Sequence, residues 1–511
     1  MSDCDIVICG AGSAGSALAG RLAAHRGLRV VLIEAGGSDE VPAVSTPEQW
    51  FLNLDSERDW RFRAEPGKGV AGRALPLAMG KVLGGGSSIN VMVWARGHRT
   101  DWDHIAEVTG DPGWGYESVL EIYRRIEDWS GAPDPRRGTG GPMHIGLPVD
   151  PSPLAPALVA GAVEAGLPAF GHSNGEMMEG PDGVALTDMI IRNGRRQSVF
   201  RSYVAPLLGQ PGLRVLTGAK VTRVLVENGR AVGVEIDHDG RTERIRAALE
   251  VVLSTGAVNT PKLLMQSGIG AADDLREFGI PVVANLPGVG RNYQDHIAVS
   301  AIWESPEPVV GRNNLGETIY YARSDSAMTA PDTLGFLVEA PLPSEENAAK
   351  FGVPEHAWSI FQGISRPRSR GRISLTGPDA DDPVRIDAAA LSDPEDLRAA
   401  LAGIELAREI GNSRAMAPFA RREVMPGPLP RAELEEFVRN GAGTYRHQSC
   451  TAKMGRDEMA VVDSALRVHG VEGLRVADAS VLPRITSGNT MAPCVVIGER
   501  AAELISRDHT L

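Results

Sequence analysis

The sequence Asp5-Ile-Val-Ile-Cys-Gly10-Ala-Gly12-Ser-Ala-Gly15 decides the fold. Its apolar run predicts a buried parallel strand, and the glycines that follow have the spacing of a dinucleotide-binding turn. Gly10 permits a tight turn, Gly12 lets the backbone approach a pyrophosphate, and Gly15 allows a helix to pack closely on the strand. Residues 14–25 predict that helix, so its N-terminus would face the phosphates.

A second apolar run over residues 28–34 predicts the next strand of a βαβ unit, and it ends at Glu34. A carboxylate about 20 residues after the glycines can accept a hydrogen bond from a ribose hydroxyl. The neighbours of Glu34 are Ile33 and Ala35, so no adjacent arginine would meet a 2′-phosphate, which disfavours NADP. The motif predicts a dinucleotide but does not separate FAD from NAD.

Length and charge bound the class of protein. At 511 residues the chain exceeds the roughly 250–300 residues of a single core, so two domains are expected. A net charge of −13 without long charge runs argues against nucleic acid as a partner. No apolar stretch reaches the roughly 18 residues of a membrane span, and no signal peptide or metal-binding pattern is evident. Four scattered cysteines favour free thiols in the cytoplasm.

The pattern of strands predicts an α/β protein with two domains. Runs typical of buried parallel strands lie near both ends and at 249–253, whereas short strands with turns between them fill 297–386 and suggest an antiparallel sheet. We therefore expect a Rossmann-like dinucleotide-binding domain that is discontinuous in sequence, and a second domain built on an antiparallel β-sheet with helices. The predicted borders are 1–150, 195–296 and 441–511 for the first domain, and 151–194 and 297–440 for the second.

Two more glycine-rich segments carry chemistry. The first is Gly80-Lys-Val82-Leu-Gly-Gly85-Gly-Ser-Ser-Ile-Asn90-Val91, which continues to Gly97. Consecutive glycines let backbone lie against a flat ligand, and residues 87–95 are expected to start a helix there. The second segment runs from Gly256 to Gly270. Read singly, each segment also fits an ordinary turn or helix start.

Together with Ala477-Asp-Ala-Ser480 and Gly488-Asn-Thr-Met-Ala-Pro493, these segments resemble the glucose–methanol–choline (GMC) oxidoreductase family. Residues 80–97 and 256–270 look like its two signatures. The resemblance is weak across about 298–440, where the family meets its substrates. It implies a Rossmann-like FAD-binding domain, a substrate-binding domain, and FAD-dependent oxidation of an alcohol to an aldehyde or ketone.

The resemblance also implies which residues hold FAD. Asn90 and Val91 would lie near the isoalloxazine, and Val221 near the adenine. Some relatives link FAD to a histidine at the position of Ile89, so non-covalent FAD is expected here. The full set predicted to bind the cofactor is Gly10, Gly12, Ser13, Gly15, Glu34, Ala35, Gly80, Val82, Gly85, Asn90, Val91, Val221, Asp478, Ala479, Asn489, Thr490 and Met491.

The catalytic pair is predicted from Thr444-Tyr-Arg-His447-Gln-Ser-Cys-Thr and from Asn489. The family pattern is His-Pro-x-Gly-Thr; His447 keeps its register, while Gln448 and Cys450 replace the proline and the glycine. A neutral histidine with a pKa near roughly 6.5 can take the hydroxyl proton as hydride leaves for the flavin N5. The amide of Asn489 can hold the substrate oxygen.

Other polar residues receive different interpretations. His296 sits in a motif that looks structural. We expect His98 and His144 on the surface or in loops, and Cys450 as a packing thiol, since the sequence shows no activating partner. Arg446 either meets an acidic substrate group or is solvated. The segment Asp59-Trp-Arg-Phe62 resembles a family segment near the flavin, where aromatic residues are more often packing than substrate contacts.

The resemblance to the family also allows two other reactions. Some members of the family cleave hydroxynitriles with FAD bound, and others decarboxylate fatty acids in light; the His447 and Asn489 pair favours alcohol oxidation over both. The electron acceptor is oxygen or another acceptor. Family habit favours a primary alcohol, aliphatic or aromatic, but no residue names the substrate.

Overall fold

The first of two large sheets has a parallel half and an antiparallel half. In the computed structural model, which describes residues 2–511, its strand order is Leu213–Leu216, Val30–Ile33, Cys4–Cys9, Arg241–Leu253, Arg230–His238 and Ala219–Glu227, with Leu474–Val476 paired to Arg241–Leu253. Among the strands parallel to Cys4–Cys9 or to its neighbours, Val30–Ile33, Leu474–Val476 and the last four residues of Arg241–Leu253 are buried, as parallel strands covered on both faces are. The edge strand Leu213–Leu216 is partly exposed. The α/β class with a Rossmann-like sheet is confirmed.

Helices cover the parallel half of this sheet. The helix Ser13–Leu22 follows the first strand and packs against the C-terminal helix Met491–His509. That packing is close, because a Cβ at Gly498 would lie 2.4 Å from the carbonyl oxygen of Ala14. The further helices of this layer are Pro42–Ser45, Gly86–Ile89, Arg99–Thr109, Tyr116–Ile126, Val199–Tyr203, Gly256–Gln266 and Ala272–Glu277.

The second large sheet is antiparallel throughout. Its order is Arg422–Met425, Ile297–Glu304, Ala357–Ile364, Thr333–Val338, Thr318–Ala322 and Gly183–Leu186, with Gly443–Thr444 paired to Ile297–Glu304. The helices Leu154–Glu164, Glu345–Phe351, Pro394–Gly411 and Arg431–Gly441 complete this part of the molecule.

Alternation along one strand gives the second sheet its two apolar faces. Leu337 packs with the stacked rings of Trp303 and Trp358 on the face that meets the helix Pro394–Gly411. Its neighbours Phe336 and Val338 point to the opposite face. That opposite face forms a wall of the cavity described below.

The structure differs from the predicted elements in several places. Only Gly86–Ile89 is helical within the segment expected to start a helix, since Asn90 is already extended. The run at 249–253 is the end of a 13-residue strand, Arg241–Leu253, whose first half is exposed and charged. The strands Gly183–Leu186, Thr318–Ala322 and Arg422–Met425 were not predicted.

Short strands complete the fold. Gly371–Leu375 and Val384–Asp387 were expected in the large antiparallel sheet but form a separate three-stranded sheet, in which Gly371–Leu375 lies between Arg291–Tyr293 and Val384–Asp387. The remaining pairs are Phe62–Arg63 with Pro76–Leu77, Glu127–Trp129 with Met143–Ile145, Ile191–Arg192 with Arg195–Arg196, and Ile269–Gly270 with Ala284–Asn285. Across residues 2–511, no helix combines the length and the apolar character that crossing a membrane requires.

Candidate active site

A cavity of about 950 Å³ lies between the two large sheets. We call the part around Gly10, Glu34 and Val221 the nucleotide end, and the part around Arg446, His447 and Asn489 the reactive end. Two helices begin at this cavity without a side-chain cap or an acidic residue in their first turn, Ser13–Leu22 and Met491–His509. Their free N–H groups and helix dipoles favour an anionic ligand.

Glycines bring the backbone of the nucleotide end close together. Gly10 has a φ of +101°, and a Cβ there would lie 2.3 Å from the carbonyl oxygen of Ser254. A Cβ at Gly85 would lie 2.7 Å from the Cα of Gly12, so the second glycine loop rests on the first. No atom lies within 4 Å of a Cβ built on Gly12 itself. The turn therefore leaves open the space that a pyrophosphate needs.

Two carboxylates face this end of the cavity. Glu34 accepts hydrogen bonds from the backbone N–H groups of Ala11 at 3.0 Å and Gly36 at 2.8 Å, and burial raises its pKa to about 7. Asp478 accepts from the N–H of Gly256 at 2.9 Å and from the Thr260 hydroxyl at 2.6 Å. Both carboxylates are thus fixed in orientation, with lone pairs left for ribose hydroxyls or ribityl hydroxyls.

Around Val221 the structure adds residues that the sequence did not point to. Lys220 donates to the carbonyl oxygen of Ala380 at 2.7 Å, and Lys262 donates to the same oxygen at 2.8 Å. Burial, with Lys220 nearby, lowers the pKa of Lys262 to about 8. The loop that contains Ala380 thereby forms one wall of the nucleotide end. Nothing local in the sequence connects these lysines to a loop more than a hundred residues away.

The predicted cofactor residues converge on this one cavity. Those that line it are Gly10, Gly12, Ser13, Glu34, Ala35, Gly80, Gly85, Asn90, Val91, Val221, Asp478, Ala479, Asn489, Thr490 and Met491. Gly15 and Val82 do not line it. Gly15 sits under the turn, where a Cβ would lie 2.0 Å from the carbonyl oxygen of Gly10, and Val82 is fully buried.

At the reactive end, hydrogen bonds and ring stacking fix the position of His447. Its backbone N–H donates to Asp295 at 2.8 Å, and its ring stacks on Tyr445 with centroids 5.6 Å apart. Its Nδ1 lies 2.9 Å from Nδ1 of His296, and its Nε2 lies 3.2 Å from Nδ2 of Asn489. His296, which the sequence analysis treated as structural, is therefore part of the site.

With Nδ2 of Asn489 facing His447, these contacts define one arrangement of protons. An amide nitrogen can only donate, so Nε2 of His447 accepts from Asn489. The proton of neutral His447 then sits on Nδ1 and is donated to Nδ1 of His296, whose own proton sits on Nε2. The basic lone pair of His447 is therefore on Nε2, where it accepts from Asn489 at the cavity wall.

Burial keeps both rings neutral. The pKa of His447 lies well below its usual 6.5, chiefly because the ring is buried, with contributions from His296 and Arg446. Burial also lowers the pKa of His296 to about 4. A neutral imidazole at ordinary pH is the form that can accept a proton.

The two departures from the family pattern have structural consequences. Cys450, at the position where the family has glycine, takes a left-handed backbone with a φ of +77°. Its thiol is fully buried beside Gln294, and burial raises its pKa far above its usual value, so it is not a reactive thiolate. Gln448 lines the cavity, and its buried Nε2 has no hydrogen-bond partner among residues 2–511.

Most of the other side chains that line the reactive end are apolar, although Arg61, Arg63 and Asn314 also line the cavity. Side chains from the second sheet and from the loop near residue 50 form its walls: Trp50, Phe51, Leu54, Trp60, Phe62, Ile319, Leu334, Phe336, Val338, Leu342, Phe361 and Tyr445. Trp60 and Phe62 stack on each other and also line the cavity, so they do more than pack the interior.

The remaining histidines lie elsewhere. His98, expected on the surface or in a loop, lies in the loop before the helix Arg99–Thr109 but is buried, and it caps that helix, where Thr100 N–H donates to its ring. His144 is partly buried in the strand Met143–Ile145. Neither lines the cavity.

The whole cavity fits FAD. Its nucleotide end offers a glycine turn and a helix N-terminus to a pyrophosphate, with Glu34 beside them. Its other end offers the N-terminus of Met491–His509 and the Asn90–Val91 backbone to a flat ring. Beyond that ring the histidine pair and an apolar chamber remain for a second small molecule.

Comparison with known proteins agrees with this geometry. The family models described as GMC oxidoreductase match residues 4–298 and 367–498. The oxygen-dependent choline dehydrogenase of Brucella anthropi is 37% identical over 529 residues, covering 98% of this chain and 95% of the relative. The structure of pyridoxine 4-oxidase from Mesorbium loti has a TM-score of 0.94 at 34% identity, and both chains are covered completely. A fungal aryl-alcohol oxidase shares the fold, with a TM-score of 0.86 at 23% identity and complete coverage of both chains.

Proposed function

The chain belongs to the GMC oxidoreductase family, and from this premise we propose how its cavity oxidises an alcohol. The protein is a FAD-dependent oxidoreductase that converts an alcohol to an aldehyde or ketone. When bound, the flavin supplies the acceptor for the hydride that leaves the substrate carbon. The residues of the chain must bind the alcohol, orient it and remove its hydroxyl proton.

The observation that carries this proposal is the position of His447 Nε2, 3.2 Å from Asn489 in the cavity wall. We assign His447 as the base. The hydroxyl proton moves to Nε2, and the hydrogen on carbon leaves with its electron pair, so a carbonyl compound and a protonated His447 result. Because Nδ1 of His447 already donates to His296, the ring cannot turn its lone pair away from the cavity.

Asn489 and His296 support the base in different ways. Asn489 has a second N–H, which can donate to the substrate oxygen and hold it beside Nε2. His296 does not line the cavity and acts through His447, which makes it a positioning residue. Both remain neutral, so neither competes for the proton.

The electron acceptor, the link to FAD and the location are further parts of the proposal. We propose oxygen as the acceptor, because the relatives named above are an oxygen-dependent dehydrogenase and two oxidases. We propose non-covalent FAD, because apolar Ile89 lines the cavity where some relatives have a histidine. A cytoplasmic location agrees with four free cysteines. No named relative supports the lyase or the light-driven reaction.

Anaerobic mixing with alcohols tests this function. Purified yellow protein should lose its flavin absorbance band when a suitable primary alcohol is added in the dark, and admission of air should restore the band. A protein that no alcohol bleaches would contradict alcohol oxidation. Recovery only with an artificial acceptor would contradict oxygen as the acceptor and leave the oxidation itself in place.

A further inference from the structure

Arg446 is a guanidinium without a partner at the reactive end. It lines the cavity next to His447, and its side chain makes no hydrogen bond or ion pair within residues 2–511. Its backbone is in the left-handed region, with a φ of +63°, and its N–H donates to the Thr444 hydroxyl at 2.9 Å. A non-glycine residue keeps this conformation only where its surroundings impose it. The turn thus fixes the point beside His447 from which the Arg446 side chain starts.

Three carboxylates act on the Arg446 charge, those of Asp295, Asp59 and Asp55, and the first two are engaged by other groups. Asp295 accepts the N–H of His447 at 2.8 Å. Asp59 accepts backbone N–H groups from Asp55 at 3.0 Å, Arg61 at 2.9 Å and Met79 at 2.9 Å. Neither lies within 4.0 Å of the Arg446 guanidinium. The Arg446 side chain is half-buried at the cavity, and its burial lowers its pKa.

No acidic side chain faces this end of the cavity. The acidic residues that line the cavity are Glu34, Asp381, Asp382 and Asp478. Glu34 and Asp478 hold the glycine turn and the start of Gly256–Gln266, and Asp381 pairs with Lys220 beside Val221. All four therefore belong to the nucleotide end. A cationic alcohol at the reactive end would meet a cation and no carboxylate.

We propose that Arg446 binds an anionic oxygen group of the substrate, so that the substrate is an alcohol with an apolar body and a carboxylate or phosphate. This inference rests on the proposed function and adds the class of substrate. The apolar walls formed by Leu334, Phe336 and Phe361 receive the body, His447 and Asn489 receive the hydroxyl, and Arg446 receives the anion. Arginine suits this role because its planar fork matches the geometry of carboxylate and phosphate.

Binding of a matched pair of unreactive ligands tests the proposal without turnover. Para-toluate and its methyl ester share the same aromatic body, but the ester is uncharged and has one additional methyl group, and the flavin spectrum of the holoenzyme reports their dissociation constants. Removing one partner of a desolvated charge pair typically weakens binding by about 10²-fold, so the acid should bind tighter than the ester by about that factor. In Arg446→Met the ratio should fall to near one, and Arg446→Lys should keep part of it.

Arg63→Met is the matched control, because Arg63 also lines the cavity but is exposed to solvent. It should leave the ratio of acid to ester close to that of the unaltered protein. FAD content and thermal unfolding of each variant report whether it is folded. Equal binding of acid and ester to the unaltered protein would overturn the proposal and needs no variant.

Turnover then separates the two proposals. Anaerobic flavin reduction by para-hydroxymethylbenzoate, para-hydroxymethylphenyl phosphate, the methyl ester of the former, and choline ranks the substrates. Faster reduction by one of the two anions supports the inference and shows whether carboxylate or phosphate is preferred. Faster reduction by the ester or by choline overturns it while alcohol oxidation stands.

An unchanged ratio in Arg446→Met with an altered flavin potential would assign the guanidinium to the flavin instead. Tight binding of the acid without reduction by any alcohol would refute the proposed function alone.

Discussion

The two ends of the cavity are built in different ways. The nucleotide end takes Gly10, Gly12 and Glu34 from one βαβ unit and presents mainly backbone to its ligand. The reactive end joins side chains from distant segments: His296 and His447, whose rings meet at 2.9 Å, are 151 residues apart in the chain. Backbone recognition follows from a local motif, whereas side-chain chemistry depends on which segments the fold brings together. Variants at each end should therefore fail differently.

The largest effect is expected for His447→Gln. Glutamine fills similar space but cannot accept the hydroxyl proton, so the rate of flavin reduction should fall by about 10²–10⁴-fold, the usual contribution of a general base. Stopped-flow anaerobic reduction measures it. FAD content should persist, since the nucleotide end is untouched. A variant that reduces its flavin at the original rate would remove His447 as the base.

The next effect is expected for His296→Leu. Without an acceptor for Nδ1–H, His447 can turn or change tautomer, and a misplaced catalytic group can cost about 10²-fold. The measured quantity is the maximal rate of flavin reduction. His296→Asn should recover part of it, because the amide oxygen can accept the same hydrogen bond. Equal rates for the leucine and asparagine variants would mean that His296 only fills space.

The same difference between local motifs and long-range contacts explains which features could be predicted from the sequence. The glycine turn, the strand that ends at Glu34 and the positions of His447 and Asn489 could all be predicted, because motifs of fixed spacing carry them. His296 lay in a recognisable motif, yet nothing in that motif shows that its ring meets His447. The pairing of Lys262 with the Ala380 loop, and the solitary state of Arg446, depend on tertiary contacts between segments far apart. The spacing of residues along the sequence does not reveal such contacts.

Some predictions of secondary structure were wrong for a related reason. Arg241–Leu253 begins with exposed charged residues, so only its buried end had the apolar pattern of a parallel strand. Residues 87–95 looked helical after their glycines, but the backbone at Asn90 turns extended, where it lines the cavity. The segment gives up helical hydrogen bonds at the point where a ligand is to be met. Departures from local propensity of this kind are expected at functional sites.

At the nucleotide end, Glu34→Ala should weaken FAD binding without removing the base. A hydrogen bond to a charged group contributes about 1.5–3 kcal/mol, so the dissociation constant should rise by roughly 10–100-fold. Titration of the apoprotein with FAD measures it, and excess FAD should recover much of the turnover. Unchanged FAD affinity would exclude Glu34 from the cofactor site. A rate loss that excess FAD does not reverse would break the division between the two ends.

The part of the pH dependence that is lost in His447→Gln should report the base. Burial lowers the pKa of His447 below its usual 6.5, so the base stays unprotonated at pH values where an exposed histidine would be charged. The acid limb of kcat/KM should therefore begin below pH 6.5 and fall by about tenfold per pH unit from there. An acid limb above pH 6.5 would contradict a buried neutral base. His447→Gln should lack this limb.

The smallest effect is expected for Cys450→Gly, although Cys450 lies only three residues beyond the base. Its φ of +77° is a conformation that glycine adopts without strain, so the substitution relieves strain while it removes one buried thiol. These effects oppose each other, and neither reaches the Nε2 of His447, so flavin reduction should change by less than about threefold.

Reaction of the unaltered protein with a thiol reagent should likewise spare this buried, protonated cysteine. A rate loss as large as that of His447→Gln would mean that the thiol takes part in the chemistry. Retained activity would instead show that the reactive end depends on a few side chains held by long-range contacts, and not on its neighbours in sequence.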